Sequence, residues 1–262
     1  MTDQVKEAYV KTEHENGIAS IEFFHPQSNS LPGKILQALA EAIEQEGLNA
    51  DTKVIILRSA GEKIFCAGAS FDELAAITTE EQGLHFFSGF AEVINTMRKT
   101  PKFIIARIQG KCIGGGVGLA AAADYAIAAE GSEIKLSELA LGIGPFVVGP
   151  AVERKLGLSA FSQLTIDATM WRSADWARRK GLFAELHPDV TGMDTSVKRL
   201  ANTLANSSPG AMSEIKKVLW KGTENWDNLL KERAAISGRL ILSDISKSFI
   251  EKFKSARPST AK

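Results

Sequence analysis

Short apolar runs rich in β-branched residues alternate with stretches of helical periodicity along the first part of the chain. Such runs, bounded by polar or turn residues, predict β-strands. The dipeptide Asn16-Gly17 separates two of these runs and is typical of a tight hairpin turn. We therefore predict strands at residues 9–12, 18–24, 54–57, 103–108, 125–129 and 134–136.

Helical periodicity fills the intervals between these runs. Apolar residues recur at helical spacing over residues 35–45, and a helical pattern continues to Lys99 with a break near Thr78-Thr79. Another helix is predicted at residues 117–124. After about residue 150 the pattern is helical apart from one candidate strand at 183–186, and the residues after Arg257 are expected to fray. The predicted class is α/β, with a helical C-terminal region.

Two glycine-flanked turns, at residues 65–70 and 114–119, each follow a predicted strand and precede a predicted helix. The first turn of a helix leaves backbone N–H groups without intrahelical partners, and glycine lets the backbone approach a ligand closely. If the two turns converge, two N–H donors can point at one oxygen. That arrangement is an oxyanion hole, which stabilises enolates or tetrahedral oxyanions.

Charge and composition narrow the classes of partner. Lysine plus arginine equals aspartate plus glutamate at 31 each, so no strong field favours nucleic acid or an anionic membrane. No apolar run approaches the roughly 20 residues of a membrane span, and no signal-peptide pattern heads the chain. With only two cysteines, Cys66 and Cys112, the expected location is the cytoplasm.

Four motifs in order along the chain resemble the crotonase family, the enoyl-CoA hydratase/isomerase superfamily. They are the loop His25-Pro26 to Leu31, the turn Phe65-Cys66-Ala67-Gly68-Ala69, the segment Gly110 to Gly116, and the stretch Leu136-Ser137-Glu138 to Pro145. The resemblance covers roughly residues 8–255. It implies a crotonase-type spiral of ββα units with a helical C-terminal trimerisation region. The implied division is a spiral core with the acyl-CoA site at 1–195 and an oligomerisation region at 196–262.

The resemblance also implies the roles of individual residues in the two turns. The N–H groups of Ala69 and Gly115 become the oxyanion donors that hold the thioester carbonyl of an acyl-CoA. Their neighbours Ala67, Gly68, Gly114 and Gly116 become substrate-binding residues. Donors placed where charge develops favour the transition state over the substrate, which suits enolate chemistry.

Glu138 is the candidate for proton transfer. It follows the short run 134–136 and precedes an apolar stretch, 139–148, that has almost no other titratable group. Burial in such surroundings raises the pKa of a carboxyl towards values useful for general acid and base catalysis. The alternative is a surface or helix-capping glutamate.

The chain departs from the hydratases it resembles, which place a second glutamate two residues after the glycine triplet, where this chain has Gly118. One carboxylate suffices to move a proton between C4 and C2, as in enoyl-CoA isomerases. Pro145 and Phe146 also replace smaller residues and would narrow or dry the acyl pocket. The alternative is a hydratase of a short or branched 2-enoyl-CoA, such as a methylglutaconyl-CoA type of substrate, with Asp72 or Glu73 as the second acid.

The remaining chemistry-bearing residues point to no other site. Cys66 and Cys112 are interpreted as small buried residues, since no histidine pairs with them in a recognisable pattern. The four histidines lack metal-ligand spacing, so neither a metal nor a cofactor beyond the CoA thioester is implied.

Cations for the CoA phosphates and an oligomer interface are expected from the resemblance. Lys63 is a candidate for the pyrophosphate or ribose phosphate, and Phe249 with Lys252 resembles the element that reaches a neighbour's CoA. A homotrimer, or two trimers forming a hexamer, is the implied assembly. Apolar residues of the C-terminal region are candidate interface material, namely Trp220, Trp226, Leu229, Leu230 and residues 240–242.

Two interpretations from other classes stay open. The stretch 116–121 fits a loose G-x-G-x-x-A dinucleotide pattern with Glu130 as the ribose acid, which would make the protein a dinucleotide-dependent oxidoreductase. The chain beyond 150 lacks the βαβ alternation that such a sheet needs. A non-catalytic acyl-CoA binder is favoured by Gly118 and disfavoured by Glu138.

Overall fold

The computed structural model of the protein describes residues 7–255. The elements alternate between strands and helices up to the middle of the chain and are almost all helical afterwards. In chain order they are β1 (Tyr9–Glu15), β2 (Ile18–Phe24), α1 (Gly33–Leu48), β3 (Val54–Ser59), β4 (Ile64–Cys66), α2 (Phe71–Ala76), α3 (Glu80–Lys99), β5 (Phe103–Ile108), β6 (Lys111–Ile113), α4 (Gly115–Ala122), β7 (Tyr125–Ala129), β8 (Ile134–Lys135), a 3-10 turn (Leu139–Leu141), α5 (Gly149–Ile166), α6 (Ala174–Arg179), β9 (Glu185–His187), α7 (Val190–Ala205), α8 (Pro209–Leu219), α9 (Trp226–Leu240) and α10 (Asp244–Ser255).

A ββα unit repeats three times, as β3-β4-α2, β5-β6-α4 and β7-β8-α5. The first strand of each unit joins a six-stranded sheet of order β1-β2-β3-β5-β7-β9, and the second joins a three-stranded sheet of order β4-β6-β8. All the pairings are parallel except the β1–β2 hairpin, whose turn residues Asn16 and Gly17 have φ values of 50° and 80°. The predicted α/β class and hairpin are confirmed.

Because the units repeat, the short strands β4, β6 and β8 end side by side. Each of them leads into a segment that the sequence singled out: β4 into residues 67–70, β6 into Gly114, and β8 into Glu138. The carboxyl ends of parallel strands meet at one edge of a sheet, which is the usual position of a ligand site in α/β proteins. The fold therefore brings the three segments together.

The larger of two hydrophobic cores joins the sheet, α1, α3, the end of α8 and helix α9, and the smaller one joins β3, β5 and β7 to α7. Trp220, Trp226 and Leu230 are buried in it, and the two indole rings meet edge to face at 5.8 Å between centroids. These residues stabilise the monomer, so the expectation that they supply interface material is wrong for them. The expected division after residue 195 falls inside α7, and the later helices share the core of the sheet.

A buried ion pair anchors α8 to the end of α4. Lys216 Nζ donates to Asp124 Oδ2 at 2.8 Å and to the Lys102 carbonyl at 2.7 Å. Asp124 also accepts from the indole of Trp220 at 2.8 Å and from the backbone N–H of Ile104 at 2.8 Å. The pair is thus hydrogen-bonded on both sides, which is the condition under which a buried ion pair is tolerated.

Candidate active site

The first glycine turn connects β4 to α2. Gly68 has a φ of 84°, its carbonyl accepts from Leu31 N at 2.7 Å, and Ser70 N donates to the Leu31 carbonyl at 3.1 Å. The residues on either side of Ala69 are thus hydrogen-bonded to Leu31, but the N–H of Ala69 itself is not. Within residues 7–255 no acceptor binds the Ala69 N–H.

The second turn connects β6 to α4. Gly114 has a φ of 51° and donates its N–H to the Lys135 carbonyl at 2.9 Å, which ties the turn to β8. Gly115 is the first residue of α4, so its N–H has no intrahelical acceptor, and no other described group accepts from it.

The two turns touch at Gly68. A Cβ built on Gly68 would lie 3.0 Å from the Ile113 carbonyl oxygen and 3.4 Å from Gly115 N. Its positive φ and this close approach both require glycine. The unpaired N–H groups of Ala69 and Gly115 therefore belong to two backbone segments in direct contact.

Glu138 lies next to the second turn. Its backbone carbonyl accepts from Leu141 N at 3.0 Å and Ile143 N at 3.1 Å, which fixes the residue at the start of the 3-10 turn. A Cβ built on Gly114 would lie 3.0 Å from Glu138 Oε1 and press on the carboxyl group, and the φ of 51° at this position also favours glycine.

The carboxyl group of Glu138 is desolvated. Its Oε2 is buried and has no hydrogen-bond partner among the described residues. Burial raises the pKa of Glu138 to about 7, against a smaller lowering by a backbone hydrogen bond. An acid with a pKa near neutrality is ionised and protonated in comparable amounts at physiological pH, which suits a group that accepts and returns a proton.

A cavity that opens to solvent is lined by both turns and Glu138. Among the described lining residues Glu138 is the one ionisable side chain, and Ser137 and Ser237 are the hydroxyl-bearing ones. The rest are glycine or apolar: Ala67, Gly68, Ala69, Phe71, Leu74, Phe87, Phe90, Ile113, Gly114, Gly115, Leu141, Ile143, Gly144, Pro145, Phe146, Val147 and Val148. A mostly apolar wall with a few polar groups is typical of a small-molecule site.

Two glycines of α4 are matched to bulky neighbours. A Cβ on Gly118 would lie 2.7 Å from Val148 Cβ, so the Val148 side chain fills the space that a side chain at 118 would need. A Cβ on Gly115 would lie 2.9 Å from Phe90 Cδ1 and closer still to the ring tip. The packing of Val148 against α4 therefore requires glycine at position 118, where the hydratases that the sequence resembles have a glutamate.

Other predicted site residues lie away from the cavity wall. Gly116 packs against the Cys66 carbonyl, and Lys63 is exposed on the approach to β4. Asp72 is exposed and accepts from Gln27 Nε2 at 2.8 Å. Glu73 Oε2 accepts from Gly33 N at 2.8 Å and so caps α1. The structure offers neither carboxylate to the cavity as a second acid.

The two cysteines are buried, as predicted. Burial raises the pKa of the Cys66 thiol to about 12 and that of Cys112 well above its usual value, so neither forms a thiolate at neutral pH. Within residues 7–255 no cluster of three or more His, Cys, Asp or Glu side chains is placed to hold a metal ion. In the same part of the chain no helix is both long and apolar enough to span a bilayer.

The C-terminal helix α10 packs on the turn that follows Glu138. Ser246 is fully buried and donates through Oγ to the Gly142 carbonyl at 3.1 Å and the Leu240 carbonyl at 3.0 Å. Gly142 has a φ of 77°, and a Cβ there would collide with Ser246 Oγ. Lys252, on the same helix, lies 5.9 Å from the centroid of the Phe249 ring.

Several lining residues carried no usable signal in the sequence. Phe87 and Phe90 belong to the helical pattern of α3, which predicted burial but not the cavity they face. Ser237 comes from α9, about 100 residues after Glu138 along the chain, and only the packing of α9 on α3 brings it to the site. Periodicity reports which face of a helix is buried, not what lies opposite.

Comparison with known proteins places this geometry in a family. Residues 13–254 match the family described as Enoyl-CoA hydratase/isomerase. The chain is 28% identical over 242 residues to a probable enoyl-CoA hydratase of Bacillus subtilis (strain 168), an alignment covering 92% of this chain and 93% of that protein. It is 32% identical over 202 residues to the mitochondrial methylglutaconyl-CoA hydratase of Homo sapiens, covering 75% of this chain and 58% of that protein.

Solved structures agree on the fold. An enoyl-CoA hydratase from Bacillus halodurans superposes with a TM-score of 0.86 at 23% identity, over 93% of this chain and 99% of that one. The chain is an α/β protein of the crotonase fold and belongs to the enoyl-CoA hydratase/isomerase family. It is an enzyme of the crotonase superfamily that acts on acyl-CoA. The dinucleotide pattern at residues 116–121 lies within α4 of this fold and is no longer needed to explain the turn.

Proposed function

We propose that the protein is an enoyl-CoA isomerase that moves a proton between C2 and C4 of an unsaturated acyl-CoA. The observation that carries this proposal is the cavity itself, in which Glu138 is the one ionisable side chain among the described lining residues. Proton transfer between two carbons needs one group that is a base first and an acid afterwards. No cofactor beyond the CoA thioester takes part.

The proposed steps assign each group a role. The thioester oxygen of a 3-enoyl-CoA accepts from the N–H groups of Ala69 and Gly115. The Glu138 carboxylate takes a proton from C2, and the electron pair of the C–H bond forms a dienolate whose negative charge the two donors stabilise. The protonated Glu138 then returns the proton to C4, which leaves the 2-enoyl-CoA with no change in mass.

Hydration of a 2-enoyl-CoA is the second candidate, because the relatives named above are described as hydratases. Two observations favour the isomerase. Val148 fills the space beside Gly118, where the hydratases that the sequence resembles carry their second glutamate. Asp72 and Glu73, the other candidate acids, bind Gln27 and the start of α1 instead.

The test is mass spectrometry of the products from matched 3-enoyl-CoA and 2-enoyl-CoA esters. Conversion of the 3-enoyl to the 2-enoyl ester without a change in mass supports the proposal. The gain of one water by the 2-enoyl ester, with no isomerisation, would make the protein a hydratase and overturn it.

A double variant tests why the second carboxylate is missing. Gly118→Glu alone is expected to destabilise the fold, because its Cβ overlaps the Val148 side chain. Gly118→Glu combined with Val148→Gly provides the space, and it is expected to add water to 2-enoyl-CoA at a measurable rate. Val148→Gly alone is the control. Equal water addition by that control would show that the carboxylate at 118 is irrelevant.

The activity should depend on pH through Glu138. The proposed reaction begins with the carboxylate, whose pKa is about 7. We expect kcat/KM for a 3-enoyl-CoA to rise about tenfold per pH unit below pH 7 and to level off above it. A stopped-assay profile from pH 5 to 9 measures this. A profile that is flat between pH 5 and 7 would remove Glu138 as the base.

We propose that the enzyme is a homotrimer, or a hexamer of two trimers, with α8 at an interface between copies. Ile215, Val218 and Leu219 are exposed on α8, and Leu158 is exposed on α5. The guanidinium of Arg154 on α5 binds the Leu219 carbonyl, so α5 and α8 are neighbours at this point. Exposed apolar patches often mark protein contacts.

Val218→Asp is expected to shift the protein towards monomer, because an interface would have to bury the new charge. Light scattering coupled to size-exclusion chromatography measures the mass. Leu48→Asp is the matched control, since Leu48 is also a fully solvated aliphatic side chain but lies on α1. Dissociation by the Leu48 variant and not by the Val218 variant would place the interface elsewhere.

The CoA moiety has candidate cations in Lys63 and, from α10, Lys252. Lys63 is exposed just before β4, the strand that leads into the first turn. We propose that Lys63 contacts the CoA phosphates.

A further inference from the structure

Ser237 is a buried hydroxyl in the wall of the cavity that holds Glu138. It lies on α9, is 1% exposed, and is the lining residue contributed by the C-terminal helices. The proposed proton transfer gives it no role. Apart from Ser137 and Glu138, the other described lining residues, Phe87 and Phe90 of α3 among them, are apolar or glycine.

The Ser237 hydroxyl has no hydrogen-bond partner within residues 7–255. A serine or threonine in a helix can bond the carbonyl four residues earlier. Thr195 and Thr203 of α7 do so here, at 2.9 Å each. Ser237 makes no such bond to Arg233, although that carbonyl lies in the same helix. Unlike the hydroxyls of Thr100 and Thr165, which are sealed off and unpaired, the Ser237 hydroxyl keeps contact with the cavity, where a ligand atom can reach it.

Close packing explains a small residue at this position but not a hydroxyl. The next residue, Gly238, meets Gly83 of α3, where a Cβ on Gly83 would lie 2.6 Å from Gly238 Cα. The two helices therefore touch backbone to backbone, and a large side chain at 237 would push them apart. Alanine would satisfy this requirement as well as serine, and it would leave no polar group unpaired.

We propose that Ser237 selects an acyl group that carries an oxygen beyond the thioester, as a hydroxyl or a keto group, by donating a hydrogen bond to it or accepting one from it. This inference rests on the proposed function, because it assumes that the cavity holds the acyl chain. A plain hydrocarbon chain would cover the hydroxyl and leave it unpaired, which disfavours binding. An oxygen at the right depth restores the missing hydrogen bond, so the substrate is an oxygenated unsaturated acyl-CoA.

The test compares binding of saturated esters, which do not isomerise. Isothermal titration of the full-length protein gives dissociation constants for butyryl-CoA against 4-hydroxybutyryl-CoA, and for valeryl-CoA against 5-hydroxyvaleryl-CoA. We expect wild type to bind at least one hydroxylated ester about five to ten times more tightly than the Ser237→Ala variant does. The plain esters should bind the variant as well as they bind wild type, or better.

Two results would overturn the inference. One is an equal loss of affinity for plain and hydroxylated esters in Ser237→Ala, which would mean that the Ser237 hydroxyl binds the CoA part of the ligand. The other is no change for any ester. Ser137→Ala is the matched control, because Ser137 also lines the cavity and carries a hydroxyl. Its expected result is an unchanged preference between plain and hydroxylated esters, and loss of the preference in this variant instead would assign the role to Ser137.

The two proposals fail separately. If no 3-enoyl-CoA is isomerised but the Ser237-dependent preference persists, the proposed isomerase reaction is wrong and the proposed oxygenated acyl group is supported. If isomerisation occurs and the preference is absent, the proposed reaction is supported and the proposed oxygenated acyl group is wrong.

Discussion

Replacing Glu138 with glutamine is expected to lower kcat by about 10²–10⁴-fold, the usual contribution of a positioned acid or base. Glutamine keeps the size of the side chain and loses the ability to carry a proton. The affinity for a saturated CoA ester should change little, because the proposed donors to the thioester are backbone groups of Ala69 and Gly115. Initial rates with a 3-enoyl-CoA, together with titration of the saturated ester, measure the two quantities.

Asp72→Asn is the matched control for this variant. Asp72 is an exposed carboxylate beside the first turn, and asparagine can still accept the hydrogen bond from Gln27. Its activity should equal that of wild type. A comparable loss in Asp72→Asn, or activity that survives Glu138→Gln, would transfer the acid–base role away from Glu138.

The same substitution has a predicted effect on stability. Burial raises the pKa of Glu138 from 4.5 to about 7 in the folded state, so the folded protein binds the proton more tightly than the unfolded chain does. The contribution of Glu138 to stability therefore falls as pH rises from about 4.5 to 7, by about 3 kcal/mol in all. The free energy of unfolding of Glu138→Gln, measured in urea, should therefore increase relative to that of wild type as the pH rises over this range. If the difference between the two free energies does not change with pH, the carboxyl group is solvated.

The sequence was informative where function depends on local backbone chemistry. Local sequence patterns were enough to single out the glycines of the two turns, the β-branched strands before them, and Glu138. The structure brings these three segments to one edge of the β4-β6-β8 sheet, through the short strands β4 and β6 that the sequence pattern did not predict. The raised pKa of Glu138 also followed from the apolar stretch after it.

The elements that escaped prediction are short or depend on distant partners. The strands β4 and β6 have three residues each, too few to show a two-residue period, so the sequence pattern does not predict them. The apolar residues Trp220 and Trp226 could fit an interface or a core equally well, and only the packing of α8 and α9 against the sheet decides between them. Ser237 reaches the cavity by the same packing, which no local pattern encodes.

Replacing Gly115 with alanine is expected to lower kcat/KM by about 10²–10³-fold, the cost of losing one oxyanion donor. The new Cβ would overlap the Phe90 ring, which is itself buried in the core. Either the ring or the start of α4 must then move, and a shift of the start of α4 displaces the Gly115 N–H from the thioester oxygen. The effect should appear in the rate more than in the affinity for a saturated ester.

Two further variants separate this geometric effect from general damage to the fold. Gly210→Ala is the control, because Gly210 lies in α8 and a Cβ there would meet no atom within 4 Å. Its activity should be unchanged and its stability slightly higher, since alanine favours helix. Phe90→Leu removes the ring atoms that the new Cβ would strike, so Gly115→Ala combined with Phe90→Leu should recover at least about tenfold of the lost kcat/KM. If the double variant is no better than Gly115→Ala while Phe90→Leu alone is active, the loss does not come from the collision with Phe90. The N–H of Gly115 would then have to be displaced by strain within the glycine turn itself.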